Sequence, residues 1–198
     1  MQEHHQTLTA AQALEILKEG NQRYVAEKFS RKHLDKQRRA DIAPHQYPFA
    51  AVLGCSDSRV PPEIVFDQGL GDIFIARSAG HVLDSSIIGS LEYAVTNLNV
   101  PVIVVLGHYS CGAVAAAASG KEDFPGCIAH LTANIKPAVQ EAKKKDGDLL
   151  KNAVICNTNL TIQQLSKRSP VLDTAIKHNK LQIKGAVYDV NTGEVIFL

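Results

Sequence analysis

The chain has 198 residues, 45% of them hydrophobic and 21% charged, with a formal net charge of +1. That length and balance suit a globular protein with a real core. The near-zero charge lacks the footprint of a polyanion binder and argues against a nucleic-acid partner.

The opening segment MQEHHQTLTAAQ has no basic stretch followed by an apolar one, so it does not read as a secretory signal, and its His4 and His5 suit a mobile tail. Thr9 followed by Gln12 fits a capping box. Leu14 and Leu17 share a face, and Gly20 is placed to end the helix, with NQRYVAEK as a second short one. SRKHLDKQRRADIAPHQ is polar and basic and reads as a solvated arm or loop. FAAVLG is then a strand by its unbroken apolar character, and DIFIARS a second. Asp84 or Ser85 can cap a helix over SSIIGSLEYAVTNL, whose Ile88, Leu91 and Val95 share a face. PVIVVLG is a third strand and CGAVAAAAS opens another helix. Residues 127–168 are mainly helical by pattern, with EAKKKD as a solvated helix end. Ser169 and Pro170 suit the N-cap and first helical position of VLDTAIKHN. LQIKGAVYDV and EVIFL form a hairpin around NTG.

Strand, crossover helix and strand in succession imply an α/β fold. The expectation is a mostly parallel central sheet flanked by helices, with an N-terminal helical arm and a C-terminal hairpin strand. One domain fills residues 1–198, the arm being 1–45 and the core 46–198. No apolar run is long enough to span a membrane. The four cysteines, at 55, 111, 127 and 156, suit metal ligation or core packing better than disulfides, which points to the cytoplasm.

In sheets of this kind ligands gather at the carboxyl ends of the strands. Cys55 follows one strand end directly, and His108 and Cys111, three residues apart, follow another. Together they make a Cys, His, Cys set. Zinc favours thiolate and imidazole in tetrahedral geometry, and three protein ligands leave one position open. On spacing alone, two small core cysteines and an interior histidine fit equally well. Asp57 and Arg59 tilt the balance: two and four residues after Cys55, they lie on its side if the chain stays extended. A charged pair at a buried strand end is costly unless used. Arg59 can hold Asp57 ionised through a bidentate contact, and Asp57 can take a hydrogen bond from a water on the metal or become the fourth ligand. A plain structural salt bridge remains the alternative.

CSDSR with GHYSC resembles the β-class carbonic anhydrases. The resemblance covers nearly the whole chain, through CSDSRVPPEIVFDQGLGDIFIARSAGH, GSLEYAV and the terminal GAVYDVNTGEVIFL. It implies one zinc per chain on Cys55, His108 and Cys111, with Asp57 and Arg59 as the catalytic dyad. Gly112 would line the substrate pocket, Gln46 would hydrogen-bond the substrate, and Phe74 and Tyr93 would supply the aromatic lining. It also implies N-terminal helices that embrace a partner, hence a homodimer or a tetramer, and pockets that borrow residues from the neighbouring subunit. The activity implied is reversible hydration of CO2 to bicarbonate and a proton, by hydroxide at the metal oriented by the dyad.

Two thiolates cancel the charge of the ion, so activity should rise toward alkaline pH. His81 suits a packing or capping residue, or a proton shuttle. A second, inhibitory bicarbonate site in some members uses a Trp, Arg, Tyr trio. Arg77 and Tyr188 match two of them, but Val52 stands at the Trp position, so the regulated type is expected to be absent. Tyr109 departs from the smaller or acidic residues usual there. The alternatives are hydrolysis of CS2 or COS at the same site, and a non-catalytic zinc-stabilised module.

Overall fold

The structure is a computed structural model and describes residues 8–198. His4 and His5 lie outside the described residues. Five strands form one sheet in the order β2-β1-β3-β4-β5. They are β1 (Ala50–Cys55), β2 (Ile73–Ser78), β3 (Val102–His108), β4 (Gln182–Tyr188) and β5 (Val195–Phe197). The first four run parallel and β5 returns antiparallel to β4. β1 and β3 are buried along their whole length, as unbroken apolar runs in a doubly covered sheet must be.

Alternate residues of these strands feed two layers. Ala50, Val52, Val102, Val104 and Leu106 pack with Leu17 of α1 (Ala10–Val25) and with Val65 of the short α3 (Pro62–Val65). Ala51, Leu53, Ile103 and Val105 pack under Leu91 of α4 (Ser85–Thr96), Leu165 of α7 (Leu149–Arg168) and Leu172 of α8 (Pro170–Lys177). Between α4 and α7 come α5 (Gly112–Ala118) and α6 (Ile128–Ala142). The caps read from the sequence are in place. Thr9 Oγ1 accepts from the Gln12 N–H, Asp84 caps α4, and Ser169 caps α8 with Pro170 at its first position.

One expectation fails in the arm. Gly20 does not end α1, which runs on through it. A Cβ there would lie 1.8 Å from the Phe66 carbonyl oxygen, so the glycine permits close approach to α3 rather than a stop. Its neighbour Asn21 locks the contact: Nδ2 donates to the Val65 and Gly193 carbonyls, and Oδ1 accepts from the Val195 N–H. The polar stretch after it is solvated, as read, but it is anchored at a few points. Asp35 caps α2 (Lys36–Ile42), and buried Asp72 accepts from the Gly69 N–H at 2.8 Å and from Arg38 at 3.0 Å, with His33 Nδ1 at 2.7 Å. The anchoring carboxylate sits more than thirty residues away in sequence, which a local count of charges misses.

Candidate metal centre

β1 and β3 are neighbours, and their register sets Gly54 beside Leu106. Cys55 and His108 therefore leave the same edge of the sheet. Cys111 follows as the N-cap of α5 after Ser110, whose φ of 59° turns the chain back. The donor atoms of Cys55, His108 and Cys111 lie within 4.8 Å of one another, all three residues being buried.

His108 is 1% exposed. Its Nδ1 stands 3.0 Å from the Tyr109 carbonyl oxygen, a contact that requires Nδ1–H as donor and leaves the lone pair on Nε2. Nε2 is buried without a hydrogen-bond partner. Such an atom needs an explanation, and an ion is one. The two sulfurs lie 4.0 Å apart. A disulfide needs about 2.05 Å, whereas sulfurs on a tetrahedral zinc with bonds of about 2.3 Å stand about 3.8 Å apart. Two soft thiols and an imidazole select zinc over hard cations. The Cys111 thiol, hydrogen-bonded to Cys55, pulls the Cys55 thiol down to about 3, and the same bond with burial pushes Cys111 up. The pair readily holds one negative charge, and a divalent cation displaces its remaining proton.

The chain does not stay extended after Cys55. The Val60 N–H bonds back to the Asp57 carbonyl, and Asp57 Oδ1 accepts from the Arg59 N–H at 2.9 Å. That turn, an Asx-type closure, brings the Arg59 guanidinium onto both carboxylate oxygens at 3.0 and 2.8 Å. Arg59 also donates to the Ser110 carbonyl at 3.2 Å, tying the two strand ends together. The guanidinium holds the Asp57 carboxyl well below the usual carboxylate range. Asp57 Oδ2 stands 4.0 Å from His108 Nε2.

Arg77 of β2 donates to the Cys55 carbonyl at 2.8 Å and the Asp57 carbonyl at 2.7 Å, splinting the loop. Tyr188, 2% exposed, meets the Tyr24 hydroxyl at 3.1 Å, and Val52 is wholly buried in the sheet. Gly112 opens α5, and a Cβ on it would meet nothing within 4 Å. Lys151 of α7 stands 5.4 Å from the Tyr109 ring centroid.

The site therefore gathers Cys55, Asp57, Arg59, His108, Cys111 and Gly112. Gln46, Phe74 and Tyr93 are not brought to it within the chain. Phe74 pairs with Ala51, four residues before Cys55 and its partner Ser78, roughly 13 Å back along the strand. Its ring faces Tyr93 at 6.4 Å, and Gln46 is exposed ahead of β1.

His81 is 1% exposed, with Nε2 3.0 Å from Asn157 Nδ2. Burial lowers its pKa to about 4. A sealed, neutral imidazole passes no proton to solvent, so His81 packs rather than shuttles. In 15N NMR its titration midpoint is expected near pH 4, and a midpoint at the ordinary value of about 6.5 would return the shuttle role to it.

The model of the carbonic anhydrase family matches residues 50–195. Carbonic anhydrase 2 of Mycobacterium tuberculosis is 41% identical over 187 residues, covering 93% of this chain and 90% of that protein. The carbonic anhydrase of Mycolicibacterium smegmatis is 40% identical over 186 residues, covering 92% and 90%. Among solved structures, the Coccomyxa β-carbonic anhydrase in complex with acetazolamide superposes with a TM-score of 0.76 at 28% identity, covering 93% of this chain and 86% of that one. With matches of this extent on top of the thiol–imidazole cluster at the carboxyl ends of β1 and β3, the chain belongs to the β-class of the carbonic anhydrase family.

Proposed function

We propose that the chain hydrates CO2 reversibly to bicarbonate and a proton, with one zinc held by Cys55, His108 and Cys111 and with Asp57 and Arg59 as the catalytic dyad. The observation that carries this reading is the partnerless Nε2 of buried His108, facing two thiols beside a carboxylate clamped by a guanidinium. Zinc, when bound there, supplies the Lewis acidity that makes water a strong nucleophile near neutral pH.

The residues of the chain do the positioning. Arg59 occupies both oxygens of Asp57 and keeps it ionised, so Asp57 acts as an acceptor and not as the base. It takes the O–H of the nucleophile, and so turns a lone pair toward the carbon of CO2. The new C–O bond gives bicarbonate, water replaces it, and the released proton passes to buffer. The open side at Gly112 leaves room for substrate to enter.

Gln46, Phe74 and Tyr93 are proposed to serve the pocket of a second copy, in a homodimer or tetramer. The exposure of Gln46 and Tyr93, and the place of half-buried Phe74 on the edge strand β2 far from its own metal ligands, support this. The chain is proposed to work as one domain, core 46–198 with arm 1–45. Four unbridged cysteines support a cytoplasmic setting. No helix among the described residues is long and apolar enough to cross a membrane.

Stopped-flow CO2 hydration on zinc-quantified protein is the test. Turnover is expected to rise from about pH 6.5 to about pH 9 at one zinc per chain, because two thiolates blunt the Lewis acidity of the ion. Full zinc occupancy without turnover at any pH would overturn the reading, in favour of CS2 or COS hydrolysis or a structural module.

A further inference from the structure

The Gly80 N–H donates to Cys55 Sγ at 3.2 Å. It does so from a tight turn, Ala79–His81, in which Gly80 has φ 65° and ψ 21° and His81 follows at φ 46°. Two successive left-handed residues, the second of them a histidine, persist only when their surroundings hold them.

Asn157, in the middle of α7 and 3% exposed, is what grips this turn. Its Nδ2 donates to the Gly80 carbonyl at 3.0 Å and stands 3.0 Å from His81 Nε2. The side chain thus binds both left-handed residues at once. The opposite side is closed by packing. A Cβ on Gly80 would lie 2.7 Å from Ile135 Cδ1 of α6 and 3.1 Å from the Ala113 Cβ of α5. The turn is pressed toward Cys55 from one side and tied from the other.

We propose that Asn157 is a positioning residue of the metal centre, holding the Ala79–His81 turn so that the Gly80 N–H meets the Cys55 sulfur. This rests on Cys55 being a zinc ligand. An N–H on a thiolate draws charge from the sulfur and weakens its donation, which leaves the ion a stronger Lewis acid. Release of the turn reverses each step. Cys55 donates more strongly, and the activity profile moves to higher pH.

Asn157→Leu keeps the branching and heavy-atom count of the side chain and removes its donor. With cobalt in place of zinc, its thiolate-to-cobalt charge-transfer band is expected at longer wavelength than in the parent. Zinc retention against a chelator should nevertheless fall about tenfold, because the freed turn no longer holds Cys55 in place and its thiol keeps a proton more tightly, as for other outer contacts of metal ligands. The hydration profile should move to higher pH. If the band and the profile stay put while only the melting temperature falls, Asn157 merely fills the core and the proposal fails. Should Asn157→Leu not fold, Asn157→Ser, too short to reach both partners, is judged by the same criteria. A parent that takes up neither metal would refute the zinc site instead. The turn is then read directly from the Gly80 amide proton, whose slow exchange is expected to be lost in the variant; its retention would overturn the role of Asn157 whatever the metal does.

Discussion

Asp57→Asn is expected to slow CO2 hydration by about 10²- to 10⁴-fold while zinc stays at one per chain. The amide keeps the shape of the carboxylate but offers one acceptor oxygen and an NH2. Arg59, which now meets two carboxylate oxygens, would face a neutral group. If the amide turns its oxygen to Arg59, its N–H points at the nucleophile and opposes the orientation that attack requires. Zinc should remain because the three convergent donors lie on other residues. Stopped-flow assay with metal analysis on the same sample decides the matter. Full activity would remove Asp57 from the mechanism, and loss of zinc would make it a ligand rather than a partner of the nucleophile. Cys55→Ser discriminates less, because it removes the metal from an enzyme and from a structural module alike.

Gly20→Ala is expected to destabilise the fold by about 3 kcal/mol or more, beyond ordinary overpacking. Helix propensity alone argues the other way, since alanine in a helix interior is favoured over glycine by about 1 kcal/mol. The obstacle is backbone. The new methyl would sit 1.8 Å from the Phe66 carbonyl oxygen and 2.8 Å from its carbon, so no side chain can swing aside. Relief requires α1 to lift off α3, which strains the three hydrogen bonds of Asn21. Urea unfolding gives the answer. A midpoint at or above that of the parent would mean that α1 rides farther from Phe66 than the structure shows.

These two residues also mark how far the sequence could be read. The strands were legible because FAAVLG and PVIVVLG are buried on both faces, and double burial leaves an apolar run. Caps at Thr9, Asp84 and Ser169 were legible because a cap is a contact across three residues. The convergence of Cys55, His108 and Cys111 was legible in type, since HYSC and CSDSR place their chemistry at strand ends, and family resemblance supplied the rest. Contacts across the fold left no such trace. Gly20 looks like a helix stop and is a contact point. The charges of the arm look solvated, yet Arg38 and His33 meet Asp72. Asp57 and Arg59 meet through a turn rather than along an extended chain. Asn157 lies in NTNLT, a polar stretch of a segment that reads only as mainly helical. Its burial at 3% depends on a turn 76 residues earlier. Nothing local separates such an asparagine from an exposed one.

The ligands straddle a central seam of the sheet: Cys55 ends β1, while His108 and Cys111 follow β3, and all of β2 and α4 lie between them in the chain. A nascent chain therefore completes its first ligand well before the other two exist. The three donors meet only when β1 has paired with β3, and apolar side chains pack against that pairing on both faces. Zinc fingers, by contrast, recruit the metal to fold at all. If zinc is the ion this cluster takes, the sheet is expected to form first and the metal to enter last. Protein stripped of metal by a chelator is then expected to keep the circular dichroism of the folded chain while losing activity, and its unfolding on chelation would show that the metal is needed to fold.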